Sequence, residues 1–226
     1  MYKRQVQDDG EALRQSLFHS GTHFNPDLLT SEAERRARLE GVHAALDRAE
    51  SLVFLDTEST GGRNGRLIEV ALVETDVEQN VTGGLHFRCN PHRRSLAGAR
   101  RVHGIQDCEL EHCPEFAARA DELLEAVRGK TVVIHDRTMD LLWLNRELQA
   151  ARPGAPRFED RCTVVDSFVL ARAIPSERRR NGLDALLEWY GLGARGGHHD
   201  AYGDAALLSR VFFELWWDLD EWLYGE

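Results

Sequence analysis

At 226 residues, 42% of them hydrophobic, the chain suits one globular domain with an appendage, long enough to bury a core without disulfides. Its formal net charge of −10 excludes a wide basic surface that clamps duplex nucleic acid by counterion release, and no apolar run approaches the roughly 18 residues of a membrane span. With no signal peptide and four cysteines that form no C-x-x-C pair, a cytoplasmic protein with reduced thiols is expected, and Cys108, His112 and Cys113 lack the second ligand pair a zinc site needs.

Residues 1–5, Met-Tyr-Lys-Arg-Gln, resemble a translated sequencing-adapter end and are set apart from the fold, with the true N-terminus unknown. Residues 6–30 show no periodicity. From Ser31 a capping box with Glu34 opens an amphipathic helix through Ala37, Leu39, Val42, Ala45 and Leu46. Residues 1–50 therefore read as an N-terminal helical extension and residues 51–226 as the main domain.

The run Leu52-Val53-Phe54-Leu55 reads as a buried strand that ends in Asp56 and Glu58. Two acids one residue apart on a strand share a face, where each raises the other's pKa, and a bound divalent cation is the usual reason to hold both ionised. Hard carboxylate oxygens favour Mg²⁺ or Mn²⁺ over zinc. Taken alone, the pattern fits equally well a turn-capping Asp56 and a solvated Glu58.

A glycine-rich turn (Gly61, Gly62, Asn64, Gly65) leads to the alternating stretch R-L-I-E-V-A-L-V-E-T, and a turn over Asn80 to Gly84 leads to a strand from Leu85 to Cys89. These three strands predict an antiparallel meander. Pro114 starts a helix through Phe116, Ala120, Leu123, Leu124 and Val127, which Gly129 stops. A strand over Thr131 to Ile134 runs into His135-Asp136 and a helix beginning near Asp140, and a short strand around Thr163 to Asp166 precedes helices over Ser167 to Ala173 and Leu183 to Tyr190. The last helix, Asp204 to about Leu223, buries Leu207, Leu208, Val211, Phe212, Leu215 and Leu219 by its spacing. The order predicts an α/β sandwich with a mixed sheet. Basic residues gather at Arg93, Arg94, Arg100 and Arg101 and at Arg178 to Arg180, clusters that fit solvated loops better than phosphate sites.

Singly, Asp140 and Asp204 read as acids at helix N-termini and His199 as a loop histidine. Together with Asp56 and Glu58, and with V-H-G-I at Val102 to Ile105, D-S-F-V-L-A-R at Asp166 to Arg172 and R-N-G-L-D-A-L at Arg180 to Leu186, they form an ordered set. From about Leu52 to Phe213 the chain resembles the DEDDh family of 3'-5' exonucleases, and within it the branch of epsilon proofreading subunits of bacterial DNA polymerase III. The resemblance implies a ribonuclease H-like fold, a five-stranded mixed sheet flanked by helices. It further implies that Asp56, Glu58, Asp140 and Asp204 hold two Mg²⁺ or Mn²⁺ ions about 4 Å apart across the scissile phosphate, with His199 as general base. Asp200, next in sequence, is expected to raise the pKa of His199 a little. Thr57 and Thr60 with the Gly61-Gly62 turn are expected to line the pocket of the terminal nucleotide, and His103 and Ile105 either to floor it or to play a structural part.

The implied partners are a single-stranded 3' end, DNA before RNA, and a DNA polymerase subunit. Two rivals stand beside this reading: an RNA trimmer similar to ribonuclease T or oligoribonuclease, and a catalytically silent polymerase-associated binding module. Where the family has Asn after the histidine of its second motif and Phe before the aspartate, this chain has Asp136 and Met139. An added charge at Asp136 would tighten metal binding, raise neighbouring pKa values or impair activity.

Overall fold

The computed structural model describes residues 31–225; the expectations for residues 1–30 lie outside the described residues. Helix α1 (Glu32–Leu46) starts where Ser31 caps it, its Oγ accepting from the Glu34 N–H at 3.1 Å. Strands β1 (Ser51–Ser59), β2 (Leu67–Asp76) and β3 (Val81–Arg88) form the antiparallel meander. Strand β4 (Thr131–Ile134) pairs parallel with β1, and β5 (Thr163–Asp166) parallel with β4. The strand order β3-β2-β1-β4-β5 puts β1 in the middle, with a hydrogen-bonded neighbour on each edge.

Alternation along β1 then decides which helices it faces. Leu52 and Phe54 join the apolar cluster of α1 and the final helix α8 (Ala201–Tyr224), whereas Val53 and Leu55 join the cluster of α4 (Ala120–Ala126) and α5 (Arg137–Ala151) on the other side. Extended to the strand's C-terminal end, the same parity turns Asp56 and Glu58 towards α8 and Thr57 towards α5. Helix α8 is fixed over β1 by aromatic packing: the Phe54 ring meets Phe212 edge-on at 5.7 Å and Phe213 at 6.1 Å. Leu39, Val42 and Leu46 of α1 are buried in the same cluster, and His43 Nε2 lies 2.9 Å from Asp220 of α8. Among the described residues no helix is long and apolar enough to cross a membrane.

Several boundaries differ from those the sequence predicts. Strand β3 begins at Val81, inside the predicted turn, because Asp76 closes a tighter turn by accepting from the N–H of Asn80 (2.8 Å) and from its amide (2.9 Å). The helix predicted from Pro114 is divided: a 3₁₀ turn (Phe116–Ala118), which seats Phe116 against Phe87, precedes α4. Two short helices, α2 (Ala97–His103) and α3 (Asp107–Leu110), follow the meander. Helix α5 starts three residues before Asp140, and α8 starts at Ala201 with Asp200 as its cap, so Asp140 and Asp204 both sit inside a first turn. Helices α6 (Ser167–Ala173) and α7 (Leu183–Trp189) complete the chain.

Phe212, fully buried between Phe54 and Phe213, is the side chain on which the α8 layer most depends. Phe212→Ala should lower unfolding free energy by about 3–5 kcal/mol, the usual loss for a core aromatic. Urea denaturation checks this; a loss near zero would show that α8 is not held by that packing.

Candidate active site

The parity of β1 brings four carboxylates from three elements to one place. Asp56 and Glu58 project from the strand's C-terminal end, while Asp140, in the first turn of α5, accepts a hydrogen bond from Thr57 Oγ1 at 2.6 Å. Asp204, only 3% exposed, comes from α8. It is free to face the sheet because Asp200 does the capping, its Oδ1 accepting from the Gly203 N–H at 2.8 Å. Glu58, His199 and Asp204 each offer a ligand atom, and these atoms lie within 4.8 Å of one another.

The histidine is placed by its backbone. The His199 N–H donates to the Val102 carbonyl at 2.9 Å, which fastens the loop ahead of α8 to the end of α2. Gly104, at φ +71°, permits this approach, since a Cβ there would lie 2.7 Å from the His198 ring. On the other side, the buried Glu69 of β2 accepts from the Ala201 N–H at 3.0 Å and from Arg88 at 2.8 Å, which fixes the start of α8. Burial acts to raise the Glu69 pKa, but the Ala201 N–H, Arg88 and His86 bring it below the ordinary value.

The four site carboxylates are shifted the opposite way. Burial, followed by the charges of Asp140, Glu58 and Asp204, raises Asp56 well above the ordinary range. Burial first, then Asp204 and Glu69, pushes Glu58 up to about 8. Asp140 is raised to about 7 by burial, against the Thr57 hydrogen bond, and Asp204 to about 6 by burial, against Arg195. His199 is lowered, by burial and then by the Arg195 charge. Oxygen donors crowded until their negative charge is unfavourable fit a hard divalent cation such as Mg²⁺ or Mn²⁺, whose field would reverse each of these upward shifts.

A family profile described as Exonuclease (RNase_T) matches residues 53–212. DNA polymerase III subunit epsilon of Rickettsia felis is 34% identical over 168 residues, covering 72% of each chain. The chain belongs to this exonuclease family. The epsilon subunit of Escherichia coli K12 is 33% identical over 172 residues, which cover 72% of this chain and 70% of that one. Among solved structures, a 3'-exonuclease recognising the 3' end of a histone mRNA stem-loop superposes with a TM-score of 0.62 at 14% identity, over 75% of this chain and 83% of that one. Apo exonuclease I superposes with a TM-score of 0.57 at 20% identity, over 77% of this chain and 42% of that one. This exonuclease thus spans about two fifths of the exonuclease I chain, and both structures speak for a shared ribonuclease H-like fold.

The exonuclease treats its other expected site residues differently. Thr57 holds Asp140. Thr60 is fully buried, with its Oγ1 accepting from the Arg66 N–H at 3.0 Å, and so closes the glycine-rich turn in which Gly61 stands. His103 and Ile105 are each 4% exposed and bonded together, the Ile105 N–H donating to His103 Nδ1 at 3.0 Å. They lie beneath the surface, and the V-H-G-I stretch anchors His199 through the Val102 carbonyl. Asp200 does not raise His199, because its carboxylate turns back to cap α8. Of the basic clusters, Arg178 is buried with Asp218 and Tyr190, while Arg100 pairs with Asp107. Sequence reading missed Arg195, Glu69 and Asp184. Arg195 stands four residues before His199 in G-L-G-A-R-G-G, and that placement was its one available signal.

Two titrations follow from this geometry. Glu58, Asp140 and Asp204 bind their protons more tightly folded, near pH 8, 7 and 6, than at their ordinary values of 4.5, 3.8 and 3.8. Stability in EDTA should therefore fall as pH rises from about 4 through 8, and Glu58→Gln should make that fall shallower. Thermal melts across the range decide it, and a steeper decline in the variant would contradict the assignment. Separately, Asp136 raises Asp140 through its charge, so Asp136→Asn should lower the Asp140 pKa in the metal-free protein. A carboxylate NMR titration that superimposes on the parent's would show Asp136 to be screened by solvent.

Proposed function

We propose that this exonuclease is a metal-dependent enzyme that shortens single-stranded DNA from its 3' end and releases nucleoside 5'-monophosphates, in proofreading or repair beside a DNA polymerase III subunit. The convergence of Asp56, Glu58, Asp140, Asp204 and His199 in a chain of the exonuclease family carries this reading. The epsilon relatives at 33% and 34% identity favour DNA, whereas the RNA-recognising neighbour, at 14%, speaks only to fold.

In this reading Asp56, Glu58, Asp140 and Asp204 hold two Mg²⁺ or Mn²⁺ ions, which when bound neutralise phosphate charge and make water more acidic. Thr57 keeps the Asp140 carboxylate oriented through its hydroxyl. His199 takes the proton of the attacking water at a ring nitrogen; the water oxygen bonds to phosphorus as the bond from phosphorus to the 3' oxygen breaks. Burial, and in the metal-free protein also the Arg195 charge, lowers the ring below its ordinary pKa; the burial persists when metal is bound and leaves the ring neutral near pH 7, as a base requires. Thr60 and Gly61 shape the turn beside the terminal nucleotide, with His103 and Ile105 supporting that wall from beneath.

Digestion of 3'-labelled single-stranded DNA with Mg²⁺, and its loss in EDTA, tests the reading. Asp56→Ala should abolish cleavage, since no neighbouring oxygen replaces that ligand. His199→Ala should slow it on the order of 10²- to 10⁴-fold, the usual worth of a general base, with Mn²⁺ affinity little changed. Cleavage within a few-fold of the parent in Asp56→Ala would remove the metal reading, and no cleavage by the parent would favour the silent binding module.

A further inference from the structure

The carboxylate site already holds a cation supplied by the chain itself. Arg195 is 14% exposed. Its Nη1 donates to Asp204 Oδ2 at 2.6 Å and to His199 Nδ1 at 2.5 Å, while its Nε donates to Asp184 Oδ1 at 2.9 Å. One guanidinium nitrogen therefore engages both an expected metal ligand and the ring nitrogen that faces it, for His199 Nδ1 lies 3.5 Å from the same Asp204 oxygen. An imidazole nitrogen that accepts from arginine has no lone pair left to accept from water.

The surroundings give this side chain somewhere to go. Arg195 sits on the loop between α7 and α8, where Gly193 and Gly197 have φ of +93° and +48° and nothing lies within 4 Å of where their Cβ atoms would be. Alongside opens a cleft of about 680 Å³, lined by Asp184, Leu187, Gly193, Arg195, Gly197 and His199. Asp184, 70% exposed, lines this cleft.

We propose that Arg195 is a displaceable internal counterion, which occupies Asp204 and His199 Nδ1 in the metal-free enzyme and swings into the adjoining cleft when divalent metal binds. This rests on the metal-dependent reading above. A divalent ion on Asp204 and a guanidinium on the same oxygen repel at contact distance in a poorly hydrated site, so the two exclude one another. Asp184 gives the departing side chain a charged partner in more open solvent. The contact closes the ligand and the base together, and metal loading releases both.

Calorimetric Mn²⁺ titration of the parent and of Arg195→Gln tests the exchange. Removing an occupant lowers the apparent Kd by the fraction of molecules that were open, roughly tenfold tighter if Arg195 is away in one molecule in ten. Equal or weaker Mn²⁺ binding by Arg195→Gln overturns the proposal, and absence of binding in both chains sinks the metal reading itself. Because the variant's loop is exposed to misfolding, a second measurement uses the unaltered chain: modification of Arg195 by p-hydroxyphenylglyoxal, followed by peptide mass spectrometry. The rate should rise several-fold when Mn²⁺ replaces EDTA, and an equal or slower rate would contradict the swing.

Discussion

The burial of four neighbouring carboxylates, made harder by like charge around them, is the constraint around which this molecule is built. Asp56, Glu58, Asp140 and Asp204 come from three elements into one volume where burial alone raises every one of their pKa values. Thr57 and Arg195 relieve only part of that strain at Asp140 and Asp204, and the four acids depend on the rest of the fold. They are held by packing elsewhere: β1 lies in the middle of the sheet, its even-numbered apolar residues locked under α8 and its odd-numbered ones over α4 and α5. The unfavourable electrostatics of the strand's end are carried by the apolar packing of its beginning, a common bargain at functional sites.

Around this centre, the polar side chains that position the acids are themselves satisfied. Thr57 donates to Asp140, Glu69 receives the first N–H of α8, and Asp200 accepts from Gly203. Each contact removes a degree of freedom from one acid or from the loop that bears the base. The Val102 carbonyl does the same for His199. What looks in sequence like a scatter of unrelated polar residues is a set of hydrogen bonds that converge on one end of β1.

How much of this could be read from the sequence depended on the range of the interaction. The apolar run Leu52 to Leu55 and the position of Asp56 and Glu58 are local, and they predicted both the strand and its acidic end. The helical spacing of Leu207, Leu208, Val211, Phe212, Leu215 and Leu219 predicted which face of α8 is buried, and of these six only Leu207, at the edge of the face, is no more than partly buried. Boundaries were less legible, because caps compete: Asp204 and Asp200 are both plausible N-terminal acids, and only the bond to Gly203 selects Asp200. The anchoring of His199 by V-H-G-I could not be read for a similar reason, since a backbone carbonyl carries the contact and leaves no trace in residue type. Arg195 left only its nearness to His199 as a signal, because its partners, eleven residues back at Asp184 and nine ahead at Asp204, are met through a loop with no periodicity.

The departure at Asp136 shows how a mismatch with a family pattern should be weighed. The residue adopts φ +57° and ψ +67°, a left-handed conformation that Asn and Asp tolerate better than most other side chains. Its N–H and that of Arg137 donate to Asp166 at 3.2 and 3.3 Å, which ties the turn ahead of α5 to the end of β5. The position therefore constrains the backbone, and Asp satisfies that constraint as Asn would. Its side chain is exposed, so the extra charge reaches Asp140 only through space, behind the larger effect of burial. A change of this kind adjusts the electrostatics of the site while leaving its geometry whole, and it is no argument for a silent enzyme. Loss of the Thr57 hydroxyl, which no pattern of charges would flag, would disturb the site more, because it would take a short side-chain hydrogen bond from the half-buried Asp140 carboxylate.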